Sequence, residues 1–242
     1  MADMHLYGKR PVIERLKAAP QTVRAIYLQQ GTDAPEVVHA VKAAGKSFIS
    51  QTKEAFQKNF GAVHAQGVAA EVADFDYADF DALLRAEPRP TLFLLDRITD
   101  PQNLGAMLRT LSCLGGFALI LPRFESADVN ETTLRIACGG ENYMPVALVT
   151  NLAKAAEQAK TAGYWIAGAA AEGGDPLPTA DWPTPLAVVI GSEGDGIRPG
   201  LEKHLDLKLT LPMPGAQLSY NAATAAAMIG YEITRRRLTK GP

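Results

Sequence analysis

Five apolar runs, at residues 91–95, 118–121, 165–169, 186–190 and 207–211, dominate the second two thirds of the chain. Each is short, and the first four lack the apolar/polar alternation of a half-exposed strand, so those four are expected to be buried on both faces. Helical stretches fall between most of them, for example 103–114 and 152–162. Apolar strands alternating with helices predict an α/β fold with a parallel sheet covered on both sides. The composition supports this: 47% of the 242 residues are hydrophobic and 21% are charged, enough apolar material for a sizeable core.

The front of the chain is organised differently. Strand-like segments at 23–28, 47–49 and 67–72 alternate with helical ones at 34–44 and 53–59, which predicts a small α/β module. Glu87-Pro88-Arg89-Pro90 then places two prolines in three positions. Proline removes a backbone donor and restricts the residue before it, so this stretch is expected to be an extended connector. The expected organisation is a front domain over 1–86, a linker over 87–90 and a main domain over 91–242.

Several classes of function are disfavoured. No long charge-free apolar run suggests a membrane span. The start, Met1-Ala2-Asp3-Met4-His5, lacks the basic and apolar regions of a secretion signal. Cys113 and Cys138 stand outside any metal-binding pattern. A cytoplasmic protein with free thiols, no metal and no membrane partner is the expectation. The formal net charge of −2 does not advertise nucleic-acid binding. The basic groups that exist are local: Lys9-Arg10, and Arg235-Arg236-Arg237 with Lys240. Taken alone, the arginine run reads as a solvated helix end whose cations complement the macrodipole.

Chemistry concentrates in three segments that each follow an apolar run, where open parallel sheets bind ligands. In the first, Asp100 suits a helix N-cap and Pro101 a first helical residue. Leu104, Leu108 and Leu111 then form one apolar stripe, and Gly105, Arg109 and Ser112 a neighbouring face. Gly105 would let another backbone or a nucleotide approach closely. The second segment is Gly191-Ser192-Glu193-Gly194-Asp195-Gly196. It departs from the dinucleotide order G-x-G-x-x-G, and Glu193 would repel a pyrophosphate, which speaks against a nucleotide-cofactor oxidoreductase. An ordinary tight turn would also use these glycines. The third runs from Pro212 to Asn221, with Ser219 as the expected N-cap of an alanine-rich helix over 222–233. An asparagine in a first helical turn, Asn221, implies a partner for its amide.

Together these segments resemble the SpoU family of RNA ribose methyltransferases, within the SPOUT superfamily. Asn103-x-Gly105-x-x-x-Arg109 is similar to that family's first motif, and Ile190-Gly191-Ser192-Glu193-Gly194 to its second. Leu211-Pro212-Met213 with Ser219-Tyr220-Asn221 is similar to its third. The front segment resembles the family's small substrate-binding domain at Leu6-Tyr7-Gly8 and at His64-x-Gln66-Gly67-Val68. Tyr220 stands where leucine is usual, and Ala222-Ala223-Thr224 where V-S is common. The whole architecture is similar to the branch that modifies a guanosine of large-subunit ribosomal RNA.

The resemblance implies a SPOUT domain with a deep C-terminal trefoil knot, a homodimer, S-adenosylmethionine as cofactor and methylation of an RNA ribose 2′-hydroxyl. Ribosomal RNA is the implied substrate, with transfer RNA as the alternative and a non-catalytic RNA-binding protein of the same fold as the other. Carried over residue by residue, Asn103, Arg109, Glu193 and Asn221 are the implied catalytic group. Arg109 lies nearest the hydroxyl, Asn103 and Asn221 orient the ribose, and Glu193 holds Arg109 or the hydroxyl network. Gly191, Gly194, Leu211, Met213, Ser219 and Tyr220 are the implied cofactor contacts.

Overall fold

The computed structural model describes residues 4–61, 65–216 and 218–240, Lys240 by its backbone alone. Met1, Ala2 and Asp3 of the start, His64 of the front resemblance, Gln217 of the third segment and the Lys240 side chain lie outside the described residues. Within them, β1 (Met4–Tyr7), α1 (Lys9–Ala18), β2 (Val23–Gln29), α2 (Pro35–Ala43), β3 (Ile49–Gln51), α3 (Lys53–Phe60) and β4 (Val68–Val72) come first. Their strands form a sheet in the order β1-β4-β2-β3, with β4 antiparallel to both neighbours and β3 parallel to β2. The expected strands and helices of this part are present, except that the strand expected at 47–49 lies at Ile49–Gln51. β1 and α1 are additional, because a four-residue strand carries too little periodicity to be read from sequence.

The chain continues through α4 (Phe80–Arg85), β5 (Thr91–Leu95), α5 (Pro101–Leu114), β6 (Phe117–Pro122), α6 (Glu131–Ala137), β7 (Val146–Val149) and α7 (Leu152–Thr161). Then come β8 (Trp165–Ala170), the two-residue β9 (Asp175–Pro176), β10 (Leu186–Ile190), α8 (Pro199–Glu202), β11 (Leu207–Thr210) and α9 (Ala222–Lys240). The strands make a parallel sheet in the order β7-β6-β5-β10-β8-β11-β9. β5 and β10 lie side by side at its centre and are buried along their whole lengths, as uninterrupted apolarity requires. α5 buries Leu104, Leu108 and Leu111 on one stripe, each at most 1% exposed. α9 packs on α5 within the same chain: a Cβ added at Gly230 would lie 2.5 Å from Leu111 Cδ2. The helix runs beyond the expected 233 because the arginine run continues it. None of the described helices is long and apolar enough to cross a membrane.

The two sheets are not insulated from each other. α1 lies against α6 and the short 3-10 turn Gly140–Asn142, and one hydrophobic cluster includes Val12 and Leu16 of α1 together with Leu108 and Leu134. A buried ion pair crosses the junction, Arg15 Nη2 donating to Glu141 Oε1 at 3.3 Å. Glu131 accepts from the His5 backbone N–H at 2.8 Å and from Tyr7 Oη at 3.1 Å. Burial and the neighbouring carboxylate push the Tyr7 phenol up to about 12, so it stays a donor at any physiological pH.

Candidate functional site

The three chemistry-bearing segments meet at the carboxyl edge of the large sheet, as the strand order dictates. β5 and β10 are neighbours, and β8 carries β10 on one side and β11 on the other. The segment after β5 enters α5 as expected, with Asp100 accepting from the Gln102 N–H at 2.8 Å and Pro101 at the first position. Asn103 is therefore presented in the first turn. Glu193 projects from the turn after β10, which Ser192 and Gly196 close by mutual backbone hydrogen bonds of 3.1 Å. A Cβ at Gly191 would come within 2.2 Å of the Gly196 carbonyl carbon, so the turn folds back on a position that only glycine can occupy.

Glu193 Oε1 collects the segments. It accepts from Asn103 Nδ2 at 3.0 Å, from Asn221 Nδ2 at 2.6 Å and from the Ala222 N–H at 3.4 Å. Asn221 Nδ2 also donates to Asn103 Oδ1 at 2.8 Å. The Asn221 amide thus has the partners that its position demanded. Its other end corrects one expectation: Asn221 Oδ1, rather than Ser219, caps α9, accepting from the N–H groups of Ala223 at 3.0 Å and Thr224 at 3.2 Å. Ser219 sits two residues too early to reach those donors and faces the cavity instead.

That cavity has a volume of about 340 Å³. All six expected cofactor contacts, Gly191, Gly194, Leu211, Met213, Ser219 and Tyr220, line it, joined by Ala169, Ala170 and Ala171 at the end of β8. Glu193 is the one charged side chain among the lining residues. A pocket without cations does not suit a phosphate cluster, while small residues, backbone groups and one carboxylate suit a nucleoside carrying a positive sulfonium. Tyr220 Oη donates to the Pro212 carbonyl at 3.2 Å, so its ring braces the third loop from within.

Arg109 stands apart from this node. It lies six residues after Asn103, about 9 Å along α5 and a third of a turn off its face. Its Nη1 contacts Cys138 Sγ at 3.6 Å, while within this chain Glu193 bonds the amides of Asn103 and Asn221. Gly105 serves another backbone, not a nucleotide: a Cβ there would meet the Thr133 carbonyl oxygen at 2.7 Å.

Two latches escaped the sequence reading because their partners are about a hundred residues apart. Asp96, fully buried, accepts from Arg198 Nε at 2.6 Å and from the Arg198 N–H at 2.8 Å. Arg97, in the left-handed region at φ 59, donates to Asp195 Oδ2 at 2.9 Å and to the Gly196 carbonyl at 3.3 Å. Both tie the end of β5 to the loop that carries Glu193.

Comparison with known proteins decides which family uses this arrangement. The family described as SpoU rRNA Methylase matches residues 90–231, and that described as RNA 2′-O ribose methyltransferase substrate binding matches residues 5–78. The chain belongs to the SpoU rRNA methylase family. Among its relatives in that family is the Pseudomonas syringae protein named 23S rRNA (guanosine-2′-O-)-methyltransferase RlmB, 35% identical over 97% of this chain and 96% of its own. The Salmonella typhimurium protein of the same name is 32% identical over 98% of this chain and 100% of its own. The SpoU methyltransferase AviRb from Streptomyces viridochromogenes, solved in complex with AdoMet, superposes with a TM-score of 0.78 at 25% identity, covering 98% of this chain and 91% of that one. A tRNA-modifying TrmH/SpoU enzyme from A. aeolicus superposes with a TM-score of 0.56 at 26% identity, covering 67% of this chain and 82% of that one. The SpoU domain of the present chain therefore spans the large sheet and all three site segments, with the substrate-binding match in front of it.

Proposed function

We propose that this protein transfers a methyl group from S-adenosylmethionine to the ribose 2′-hydroxyl of a guanosine in 23S ribosomal RNA. One observation carries the proposal: Glu193, which lines the cavity formed by the second and third family motifs, draws the amides of Asn103, from the first motif, and Asn221 together through its Oε1. Ribosomal RNA is favoured over transfer RNA because the relatives named for 23S rRNA match along the whole chain, front module included. The superposed tRNA-modifying enzyme covers only 67% of it.

In this reading the cavity residues hold the cofactor, which supplies an electrophilic methyl on a cationic sulfur. Backbone groups at Gly191, Leu211 and Tyr220 hold its adenosine, with Gly194, Met213 and Ser219 completing the wall. Asn103 and Asn221, locked by Glu193, orient the ribose so that its 2′-oxygen lies in line with the methyl; such positioning removes several kcal/mol of barrier. Arg109 carries a guanidinium, which only donates, so it stabilises the charge that develops on the oxygen rather than acting as a base. The 2′-hydroxyl gives up its proton as its oxygen takes the methyl group. The functional unit in this proposal is a cytoplasmic homodimer with a knotted C-terminal domain. Exposed Tyr231 and Leu238 on α9 offer apolar surface for a second copy, which light scattering would detect as a doubled mass.

The deciding experiment incubates the protein with labelled S-adenosylmethionine and either unmodified 23S rRNA or unmodified tRNA, then maps the alkali-resistant linkage. Label at one guanosine ribose of 23S rRNA is expected. Label on tRNA alone would replace the substrate, and cofactor binding without any transfer would leave a non-catalytic RNA-binding protein.

A further inference from the structure

Arg109 carries the proposed chemistry, yet the node does not hold it. What does hold it is the segment from Cys138 to Tyr143. Cys138 ends α6 with φ 51 and ψ 34, a left-handed conformation that favours glycine and strains a side-chain-bearing residue. Gly139 and Gly140 follow at once, yet the left-handed position itself is held by a cysteine, against the local backbone preference. Its thiol is engaged on both sides. Sγ–H donates to the Arg135 carbonyl at 3.3 Å, which leaves the sulfur lone pairs to accept from Arg109 Nη1 at 3.6 Å.

The neighbours of Cys138 are seated as tightly. A Cβ at Gly140 would lie 2.8 Å from the Leu108 carbonyl oxygen and 3.0 Å from Arg109 Cα. The segment therefore touches Arg109 twice, at its backbone and at its guanidinium. On the opposite side a Cβ at Gly139 would lie 2.4 Å from Glu14 Cβ of α1. Tyr143 Oη donates to Glu14 Oε2 at 2.7 Å, and Glu141 receives the buried Arg15. Burial holds the Glu141 carboxyl above the usual carboxylate range against the pull of Arg15. The front module thus presses on one face of a segment whose other face sets the arginine.

We propose that Cys138 is a positioning residue for Arg109, the contact atom of a strut that relays the seating of the front module on residues 138–143 to the catalytic arginine. This rests on the assignment of Arg109 made above.

Glycine and serine at position 138 separate the proposal from a packing role. Cys138→Gly removes the thiol and relieves the left-handed backbone, so the thermal midpoint should be unchanged or raised and cofactor affinity by calorimetry unchanged. Its kcat should fall about fivefold, the effect of roughly one hydrogen bond, with KM for RNA unmoved. Cys138→Ser, whose hydroxyl can donate to Arg135 and accept from Arg109, should recover most of the loss. Wild-type kcat in Cys138→Gly, or a kcat loss matched by a fall in midpoint or by equal loss in Cys138→Ser, would overturn the strut. Arg109→Ala is the control. If it turns over normally, the assignment of Arg109 fails; if it is inactive while Cys138→Gly is normal, only the strut fails.

Discussion

The two edges of the large sheet use polar side chains in opposite ways, and α9 touches both. At the carboxyl edge Asn103, Glu193 and Asn221 bond mainly to one another, and Glu193 and Asn221 are solvent-exposed. At the amino edge Arg236 and Arg237 of the arginine run are consumed by anchorage, while Arg235 stays exposed and pairs with Glu232 on its own helix. Arg237 donates to Thr91 Oγ1 at 2.6 Å and to the carbonyls of Gly115 and Gly116 at 3.3 Å, with its guanidinium 4.8 Å from the centre of the Phe117 ring. Arg236 reaches the carbonyls of Leu177 and Ala180 and stacks over Trp182 at 3.8 Å. These cations are not the solvated helix end that the sequence suggested. A side chain that bonds strand-end carbonyls serves stability; one that bonds another exposed side chain can exchange that bond for substrate.

The sharpest way to break this contrast is at Glu193. Glu193→Ala deprives three donors of their acceptor at an exposed site, so turnover should fall about 10²-fold through misplacement of the two amides. The urea midpoint should move little. A large loss of stability with turnover per folded molecule intact would reverse the assignment of the two edges. Arg237→Met is the mirror test. Losing a charge-assisted bond to Thr91 should cost about 1–3 kcal/mol in urea unfolding, with kcat unchanged in what remains folded.

How far these edges could be read beforehand differs. β5 and β10 were legible to the residue because burial on both faces leaves nearly unbroken apolar runs, from Thr91 to Leu95 and from Leu186 to Ile190. α6, β7 and α8 were not, since each spans two turns or fewer or four residues and depends on tertiary packing. The three site segments were legible because each motif is local. The Asp96–Arg198 and Arg97–Asp195 latches, and the Cys138 contact, join residues far apart or off the motif, and no local signal marks them. Arg236 and Arg237 were misread for the same reason: their acceptors are carbonyls that only the fold brings near.

A smaller effect sharpens the anchored edge. Glu232 accepts from Arg235 and Arg236, and those bonds, led by Arg235, hold its carboxyl down at about 2 from an ordinary 4.5. Its folded value lies below the unfolded one, so its contribution is complete above about 4.5 and is lost as pH falls toward about 2. Urea midpoints measured across that window should drop more steeply in the native protein than in Glu232→Gln. The smallest effect belongs to the open edge. Tyr220→Leu loses one exposed bond to Pro212 and should weaken cofactor binding only about two- to fivefold by calorimetry.

Asn221 spends the two ends of one planar amide on different tasks, its oxygen on starting a helix and its nitrogen on joining Glu193 to Asn103. Hydrolysis of that amide to a carboxylate would leave an oxygen for the helix and set a second negative charge against Glu193. Chemical ageing at this single side chain would thus register as vanished methylation in a preparation whose melting curve had not moved.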